Sequence, residues 1–308
     1  MKKITLFVIL ILVILSIFSQ AAAASEQTPV RIAIIDTGIR ENHAMLENAN
    51  IEEGMNYAFK GKTTNDLIGH GTRIAGLILG SSDGTLKGTA PDAVLVPLVY
   101  YSKYPSGVPQ NGGIEAICQA VYDAVDVYNC RIINISSGIT KPDERLYKAI
   151  CYAEEKDVIV VSAVGNENLT HPDRSYYPAA YETVIGVGAA NTSLKEAADF
   201  SQCSQGVMLI APGQDLNVLS IRGGGDFELA SGTSYAAAQV TGVVARLMVR
   251  YPDLKPSDFR QILRNSCQDL EAPGYDSATG WGLLDPEAAL KAAETIWKPN
   301  KEIRQESN

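Results

Sequence analysis

The stretch Val30-Arg31-Ile32-Ala33-Ile34-Ile35-Asp36-Thr37-Gly38 decides the fold class, because its apolar run from Ile32 to Ile35 does not alternate with polar residues. A strand with one exposed face alternates with period two, whereas a strand buried on both faces is apolar throughout. Similar runs recur at residues 94–99, 132–135, 158–164, 184–187 and 207–210. Segments with apolar residues at helical spacing lie between the runs, as at 114–128 and 145–156. This order predicts an α/β fold in three layers, a mostly parallel β-sheet flanked by helices.

Length and composition are those of a globular protein. The chain has 308 residues, of which 46% are hydrophobic and 20% are charged, and no long linker divides it. We therefore expect one domain at residues 25–296, a polar C-terminal tail at 297–308, and a monomer. The formal net charge of −9 argues against a nucleic-acid partner, because such binding depends mainly on clustered Lys and Arg.

Residues 1–24 have the order of a secretory signal peptide. MKK precedes an apolar run from Ile4 to Phe18, and small residues follow at 21–24. This order predicts cleavage near Ala23 or Ala24 and a secreted or extracytoplasmic protein without a stable membrane span. The alternative is an uncleaved leader that anchors the protein, although the run is shorter than the roughly 20 residues that cross a bilayer.

The cysteines do not have the pattern of a disulfide scaffold. They number five, at positions 118, 130, 151, 203 and 267, and an odd number cannot pair completely within one chain. They lack CxxC spacing and the chain has only three histidines, so a Cys/His zinc site is not expected. We expect buried structural thiols.

Three segments place a reactive side chain at the end of a strand or the start of a helix. Asp36 closes the first apolar run, His70 stands between two glycines, and Ser234 lies in the first turn of a helical pattern that continues through 240–249. At that position the helix dipole favours a developing negative charge. Each residue also has a simpler interpretation: a solvated turn aspartate, a structural histidine and a helix-capping serine.

The order Asp, His, Ser along the chain is that of the subtilisin triad and differs from the chymotrypsin and α/β-hydrolase orders. The segments Asp36-Thr37-Gly38, His70-Gly71-Thr72 and Gly232-Thr233-Ser234-Tyr235-Ala236-Ala237 resemble the three signature motifs of the subtilisin-like serine peptidases. The stretches at 134–138 and 162–166 resemble the substrate-binding strand and the oxyanion segment of that family. The resemblance extends over about residues 28 to 295.

The resemblance implies a secreted serine endopeptidase that acts on a peptide or protein and requires no cofactor. Asp36, His70 and Ser234 would be its catalytic triad, and Asn166 would donate a hydrogen bond to the oxyanion. The substrate-binding residues that it implies are Ser136, Ser137, Gly138, Ala163, Gly165 and Tyr176.

Tyr176 stands where relatives carry the residue at the floor of the primary pocket. A tyrosine there would fill the floor and leave a shallow apolar pocket. The alternative is that Tyr176 points to solvent and the pocket stays deep.

The chain departs from the family pattern at several positions. Met45 replaces an aspartate that can ligate calcium in relatives, and its side chain offers no oxygen to a hard cation. The loop Gly80–Thr85, with Asp83, could form only a weak calcium site, so we assign no metal ligand. Arg73 stands where many relatives have a second histidine, and Ala238 and Gln239 replace a proline and a histidine. None of these three belongs to the triad.

Only Ser25 to Val30 separate the leader from the first strand, where secreted relatives usually carry an inhibitory pro-segment. This favours a restrained activity, such as the processing of a specific precursor. A second hypothesis is a catalytically silent subtilisin-like domain that serves as a binding module. A nucleotide-binding α/β protein would need a glycine-rich loop such as GxGxxG, and none appears.

Overall fold

The structure is a computed structural model, and it describes residues 29–222 and 225–306. The strands are β1 (Arg31–Asp36), β2 (Met55–Asn56), β3 (Val94–Val99), β4 (Tyr101–Lys103), β5 (Pro109–Asn111), β6 (Ile132–Ile135), β7 (Ile159–Ala163), β8 (Ile185–Ala190), β9 (Leu209–Pro212), β10 (Leu216–Leu219), β11 (Phe227–Ala230), β12 (Cys267–Gln268) and β13 (Leu283–Leu284). The helices are α1 (His70–Leu79), α2 (Gly113–Asp126), α3 (Glu144–Glu155), α4 (Thr233–Arg250), α5 (Pro256–Asn265) and α6 (Pro286–Glu306).

A nine-stranded sheet forms the central layer. Its order is β12-β13-β9-β8-β7-β6-β1-β3-β2, and all pairings are parallel except β12 with β13. Two hairpins, β4 with β5 and β10 with β11, lie outside this sheet. Each predicted apolar run contains or overlaps one of its parallel strands, so the predicted α/β fold is confirmed.

Strand β1 shows why its sequence has no alternation. Ile32 and Ile34 belong to a core that also includes residues of α1, α4, α5 and α6. Ala33 and Ile35 face the opposite side, where the core is formed with α2 and α3. All four side chains are fully buried. Both faces of the sheet are therefore covered by helices, which gives the three layers.

Helix α4 carries Ser234 and approaches its neighbours closely because it is rich in small residues. Ala236, Ala237 and Ala238 are fully buried in the core that this helix shares with the sheet. A Cβ at Gly242 would come within 1.8 Å of Thr89 Oγ1, so only glycine permits this contact. The small residues thus bring the first turn of α4 to the carboxyl ends of the central strands, where open α/β sheets bind ligands.

The predictions for the two chain termini are tested only in part. The signal peptide predicted at residues 1–24 falls outside the described residues. Helix α6 includes residues 297–306 of the predicted polar tail. No helix in the described parts of the chain is long and apolar enough to cross a membrane. The domain boundaries remain predictions.

The five cysteines are free thiols. Cys118 and Cys130 are buried, as expected for structural thiols, whereas Cys151, Cys203 and Cys267 are partly exposed. Burial raises the pKa of the Cys130 thiol to about 12, so this thiol remains protonated at neutral pH.

Candidate active site

Asp36 ends β1 with a buried carboxylate, not with a solvated one. Its side chain is almost inaccessible to solvent, and Oδ1 accepts a hydrogen bond of 2.7 Å from the Thr37 backbone amide. Oδ1 and Oδ2 lie 2.8 and 2.9 Å from His70 Nδ1. A buried carboxylate requires such partners, because an unpaired one is strongly unfavourable. The arrangement leaves His70 Nε2 as the nitrogen that faces away from Asp36.

His70 is the first residue of α1, and the glycines around it permit its position. Gly69 has a φ of 104°, which is strained for any residue with a side chain. A Cβ at Gly71 would lie 2.1 Å from the carbonyl oxygen of Gly38, so this close approach of α1 to the end of β1 requires glycine. These backbone constraints place the imidazole against Asp36.

The pKa of His70 reflects two opposed effects. Burial alone would lower the pKa, because it disfavours the imidazolium. The charge of Asp36 and its hydrogen bond outweigh burial, and the pKa is raised above its ordinary value. Arg73 acts in the opposite direction and Asp66 in the same direction as Asp36. Such a balance is suited to a group that accepts and returns a proton.

Asp66 is a positioning residue for which the sequence offered only a weak signal. Its fully buried carboxylate accepts four hydrogen bonds, from the amides of Ile68, Gly69 and Thr72 and from the Thr72 hydroxyl. It therefore satisfies amides at the start of α1 and orients the turn that carries His70. In the sequence, Asp66 lies four residues before His70, a position that fits a capping residue and an ordinary loop residue equally well.

Ser234 lies in the first turn of α4, next to His70. The Tyr235 ring centroid is 5.9 Å from that of His70, so the start of α4 is beside the imidazole. The Ser234 hydroxyl donates to the carbonyl oxygen of Ser136 at 3.2 Å, and the Ser136 hydroxyl donates to the carbonyl oxygen of Ser234 at 3.3 Å. The Ser234 hydroxyl is thus bonded to the backbone of a predicted substrate-binding residue, not to His70. Nucleophile-to-base contacts are often loose without substrate.

Asn166 is oriented by the residue before the serine. Its Oδ1 accepts hydrogen bonds from the backbone amide and the hydroxyl of Thr233, at 2.8 and 3.0 Å. The Thr233 hydroxyl also lies 3.3 Å from the Gly165 amide, which donates to it. Because its oxygen is engaged, Asn166 has its NH₂ group left as a donor. Sequence reasoning assigned no role to Thr233, although it stands within the serine motif.

The predicted substrate-binding residues follow two neighbouring strands. Ser136, Ser137 and Gly138 come after β6, while Ala163 ends β7 and Gly165 follows it. Asn134 donates to the Ser136 hydroxyl at 2.9 Å and accepts from Thr241 of α4 at 3.0 Å, which ties β6 to the serine helix. The Ser137 hydroxyl is buried beside Tyr100, and burial raises the pKa of that tyrosine to about 12.

The Tyr176 ring lies between these two segments. A Cβ at Gly165 would come within 2.6 Å of Tyr176 Cδ2, and one at Gly138 would come within 3.1 Å of Tyr176 Cβ. The Tyr176 hydroxyl donates to Glu167 Oε2 at 2.6 Å, and Arg174 donates to the same oxygen at 2.8 Å. The space between Gly138 and Gly165 is therefore occupied by a side chain whose far end is hydrogen-bonded.

The loop that could form a weak calcium site is held by hydrogen bonds to Asp83. Asp83 Oδ1 accepts hydrogen bonds from Ser81 and Thr85, and Oδ2 accepts one from the Thr85 hydroxyl. The carbonyl oxygen of Met45 accepts from the Ser82 amide at 2.9 Å. Within residues 29–222 and 225–306, no group of three or more His, Cys, Asp or Glu side chains could hold a metal ion.

The other two histidines lie apart from the triad candidates. His43 is buried, accepts from the Met45 amide through Nδ1, and contacts the carbonyl oxygen of Ser220 through Nε2 at 2.9 Å. Its partners make it a structural residue, although its sequence surroundings resemble a polar loop. His171 is exposed and lies 3.3 Å from Glu167.

Comparisons with known proteins identify relatives over most of the chain. The chain is 33% identical to fervidolysin of Fervidobacterium pennivorans over 292 residues, which cover 86% of this chain and 41% of fervidolysin. It is 33% identical to subtilisin BL of Lederbergia lenta over 264 residues, which cover 85% of this chain and 91% of that protein. It thus spans less than half of one relative and most of the other.

Solved structures match as well. The crystal structure of fervidolysin superposes with a TM-score of 0.75 at 30% identity, over 88% of this chain and 44% of that one. The patellamide maturation protease PatA superposes with a TM-score of 0.71 at 26% identity, over 86% of this chain and 97% of that one. The model of the subtilase family, peptidase family S8, matches residues 27–282. The chain therefore belongs to the subtilase family of peptidases.

Proposed function

We propose that the protein is a secreted serine endopeptidase, with Asp36, His70 and Ser234 as its catalytic triad. The observation that carries the proposal is the contact of His70 Nδ1 with both carboxylate oxygens of buried Asp36. This contact lies at the start of α1, beside the first turn of α4, which contains Ser234. Asp36 keeps the proton of the neutral imidazole on Nδ1, so Nε2 accepts the serine proton. Secretion is proposed from the order of residues in 1–24.

The reaction begins when Ser234 Oγ attacks the carbonyl carbon of the scissile bond and its proton passes to His70 Nε2. The negative oxygen of the tetrahedral intermediate accepts hydrogen bonds from Asn166 Nδ2 and from the Ser234 backbone amide. The C–N bond then breaks, and His70 returns the proton to the leaving amine. Water attacks the resulting acyl-enzyme by the same steps and releases a carboxylic acid together with free Ser234.

Substrate selection would follow from the occupied space between Gly138 and Gly165. With the Tyr176 ring there, the primary pocket accepts small side chains before the cut and disfavours large aromatic ones. A restricted pocket suits the processing of a specific peptide or protein precursor. The similarity to PatA, which is named a maturation protease, supports that choice.

Labelling with a serine-directed fluorophosphonate tests the proposal against the alternative of a silent binding module. Only a serine activated by a neighbouring base reacts, so the wild type should be labelled and Ser234→Ala should not. Ser193→Ala is the control, because Ser193 is an exposed serine outside the proposed site, so this variant should be labelled like the wild type. An unlabelled, folded wild type would favour the binding module, and labelling of Ser234→Ala would place the nucleophile elsewhere.

Cleavage of a peptide library tests the substrate class. A restricted processing enzyme should cut few sequences, with small residues before the cut. Broad cleavage without such a preference would contradict the precursor-processing proposal and leave the triad unaffected.

A further inference from the structure

Arg73 lies one helical turn after His70 and joins α1 to β11. Its Nε donates to Glu228 Oε1 at 2.7 Å, and Nη2 contacts the same oxygen. The pair is mostly buried, with side-chain exposures of 11% for Arg73 and 21% for Glu228. Burial raises the pKa of Tyr235, and the neighbouring Arg73 guanidinium opposes that rise. Arg73 of α1 therefore contacts Glu228 of β11, and its charge acts on Tyr235 of α4.

Glu228 belongs to the strand that leads directly to the nucleophile. Strand β11 ends at Ala230, and four residues later the chain reaches Ser234 in the first turn of α4. Ile221, in the connection between β10 and β11, also packs on the start of α1, since a Cβ at Gly69 would lie 2.9 Å from Ile221 Cγ1. The hairpin thus contacts the histidine helix at several places, including Leu219 against Gly76, and Arg73 forms a charged contact with Glu228.

We propose that Arg73 is a positioning residue which, through its ion pair with Glu228, aligns the helix that carries His70 with the chain that carries Ser234. The proposal rests on the proposed function, because it concerns the alignment of the same base and nucleophile. A planar guanidinium with two nitrogens on one carboxylate fixes orientation as well as distance, which a lysine cannot reproduce.

The charge of Arg73 also acts on His70. The charged and titratable groups around His70 are Asp36 of β1, Asp66 before α1, Arg73 of α1 and Tyr235 of α4. Burial lowers and Asp36 raises the pKa of His70, and Arg73 adds a smaller lowering effect. Removal of the guanidinium should raise that pKa, and removal of the Glu228 charge should lower it by leaving Arg73 uncompensated.

The experiment measures kcat, KM and the acid limb of the kcat/KM pH profile for Arg73→Gln, Arg73→Lys and Glu228→Gln. Arg73→Gln should lower kcat about tenfold with little change in KM, because a small misplacement of catalytic groups has effects of this size or larger. Its acid limb should move to higher pH. Arg73→Lys should keep the wild-type acid limb but not the wild-type kcat, and Glu228→Gln should lower kcat and move the limb to lower pH.

Arg222→Gln is the matched control. Arg222 also approaches Glu228, at 3.9 Å from Oε2, but its side chain is 74% exposed, so its kinetics should equal those of the wild type. Thermal midpoints identify any variant that fails to fold, and the lysine variant then carries the test. A wild-type kcat in folded Arg73→Lys and Glu228→Gln would overturn the proposal. Acid limbs that move in the same direction in Arg73→Gln and Glu228→Gln would also overturn it. A wild type that reacts with no fluorophosphonate would instead overturn the proposed function.

Discussion

The Tyr176 hydroxyl donates a 2.6 Å hydrogen bond to the carboxylate of Glu167, the residue that directly follows Asn166. This hydrogen bond and the charge of Arg174 lower the pKa of Glu167, so the carboxylate is ionised at neutral pH. The aromatic ring is thereby held next to Gly165, between the two segments that would form the walls of a primary pocket.

Tyr176→Gly should therefore open the pocket. We expect kcat/KM to rise for substrates with Phe or Tyr before the cut, relative to Ala or Leu, because a hydrophobic slot discriminates by about 1 to 3 kcal/mol per methylene. Tyr176→Phe is the control, since it keeps the ring and removes only the hydrogen bond to Glu167. If the wild type already prefers Phe and the glycine variant leaves the ratio unchanged, the ring does not limit the pocket.

Ser234→Ala should abolish amide hydrolysis and leave the fold intact. The substitution removes one hydroxyl, and the backbone hydrogen bond from the Ser136 hydroxyl to residue 234 can persist. Turnover with a chromogenic peptide and the thermal midpoint are the two measurements. Undiminished turnover by a folded variant would exclude Ser234 as the nucleophile.

Asn166→Ala should lower kcat by roughly 10²- to 10³-fold, the loss measured for such a donor in a subtilisin, with KM much less affected. Thr233→Ala should have a smaller effect. It removes the 3.0 Å hydrogen bond from the hydroxyl to Asn166, but the 2.8 Å bond from the Thr233 amide remains. Equal losses in the two variants would mean that Asn166 acts mainly by holding the loop.

The acid limb of kcat/KM should reflect His70. Only the neutral imidazole accepts the serine proton, so activity falls as pH decreases through a pKa that lies above its ordinary value. In Asp36→Asn, burial continues to lower this pKa while the opposing charge is gone, so the limb should move to lower pH. The rate should also fall by about 10⁴, as in other triads of this type. If the acid limb of Asp36→Asn stays at the wild-type pH, Asp36 does not set the pKa that the limb reports.

Calcium should have little effect on stability. The Asp83 carboxylate accepts hydrogen bonds from its own loop, and Met45 supplies no side-chain oxygen. Thermal midpoints in calcium and in chelator should differ by no more than about two degrees, because a tight ligand stabilises by mass action. A shift of about ten degrees would contradict this prediction and show that the protein binds calcium tightly.

The features that can be predicted from the sequence are those that depend on the types of residues close together along the chain. The unalternated run in β1 predicts a strand buried on both faces, since the faces of a strand differ in sequence only when their environments differ. The glycines beside His70 and the order of the three motifs likewise identify the candidate site before any contact is known. The small residues of α4 are visible in the sequence too, although their close contact with Thr89 is not.

The remaining features depend on which distant residues meet. Arg73 and Glu228 are 155 positions apart, and no local pattern indicates that they pair. The sequence left two orientations open for Tyr176, and only the structure shows its contacts with Gly138, Gly165 and Glu167. The burial of His43 and the four hydrogen bonds of Asp66 are decided in the same way. Strand type and motif order depend on neighbours along the chain, whereas the partner of a polar side chain depends on packing between elements, which only the tertiary structure decides.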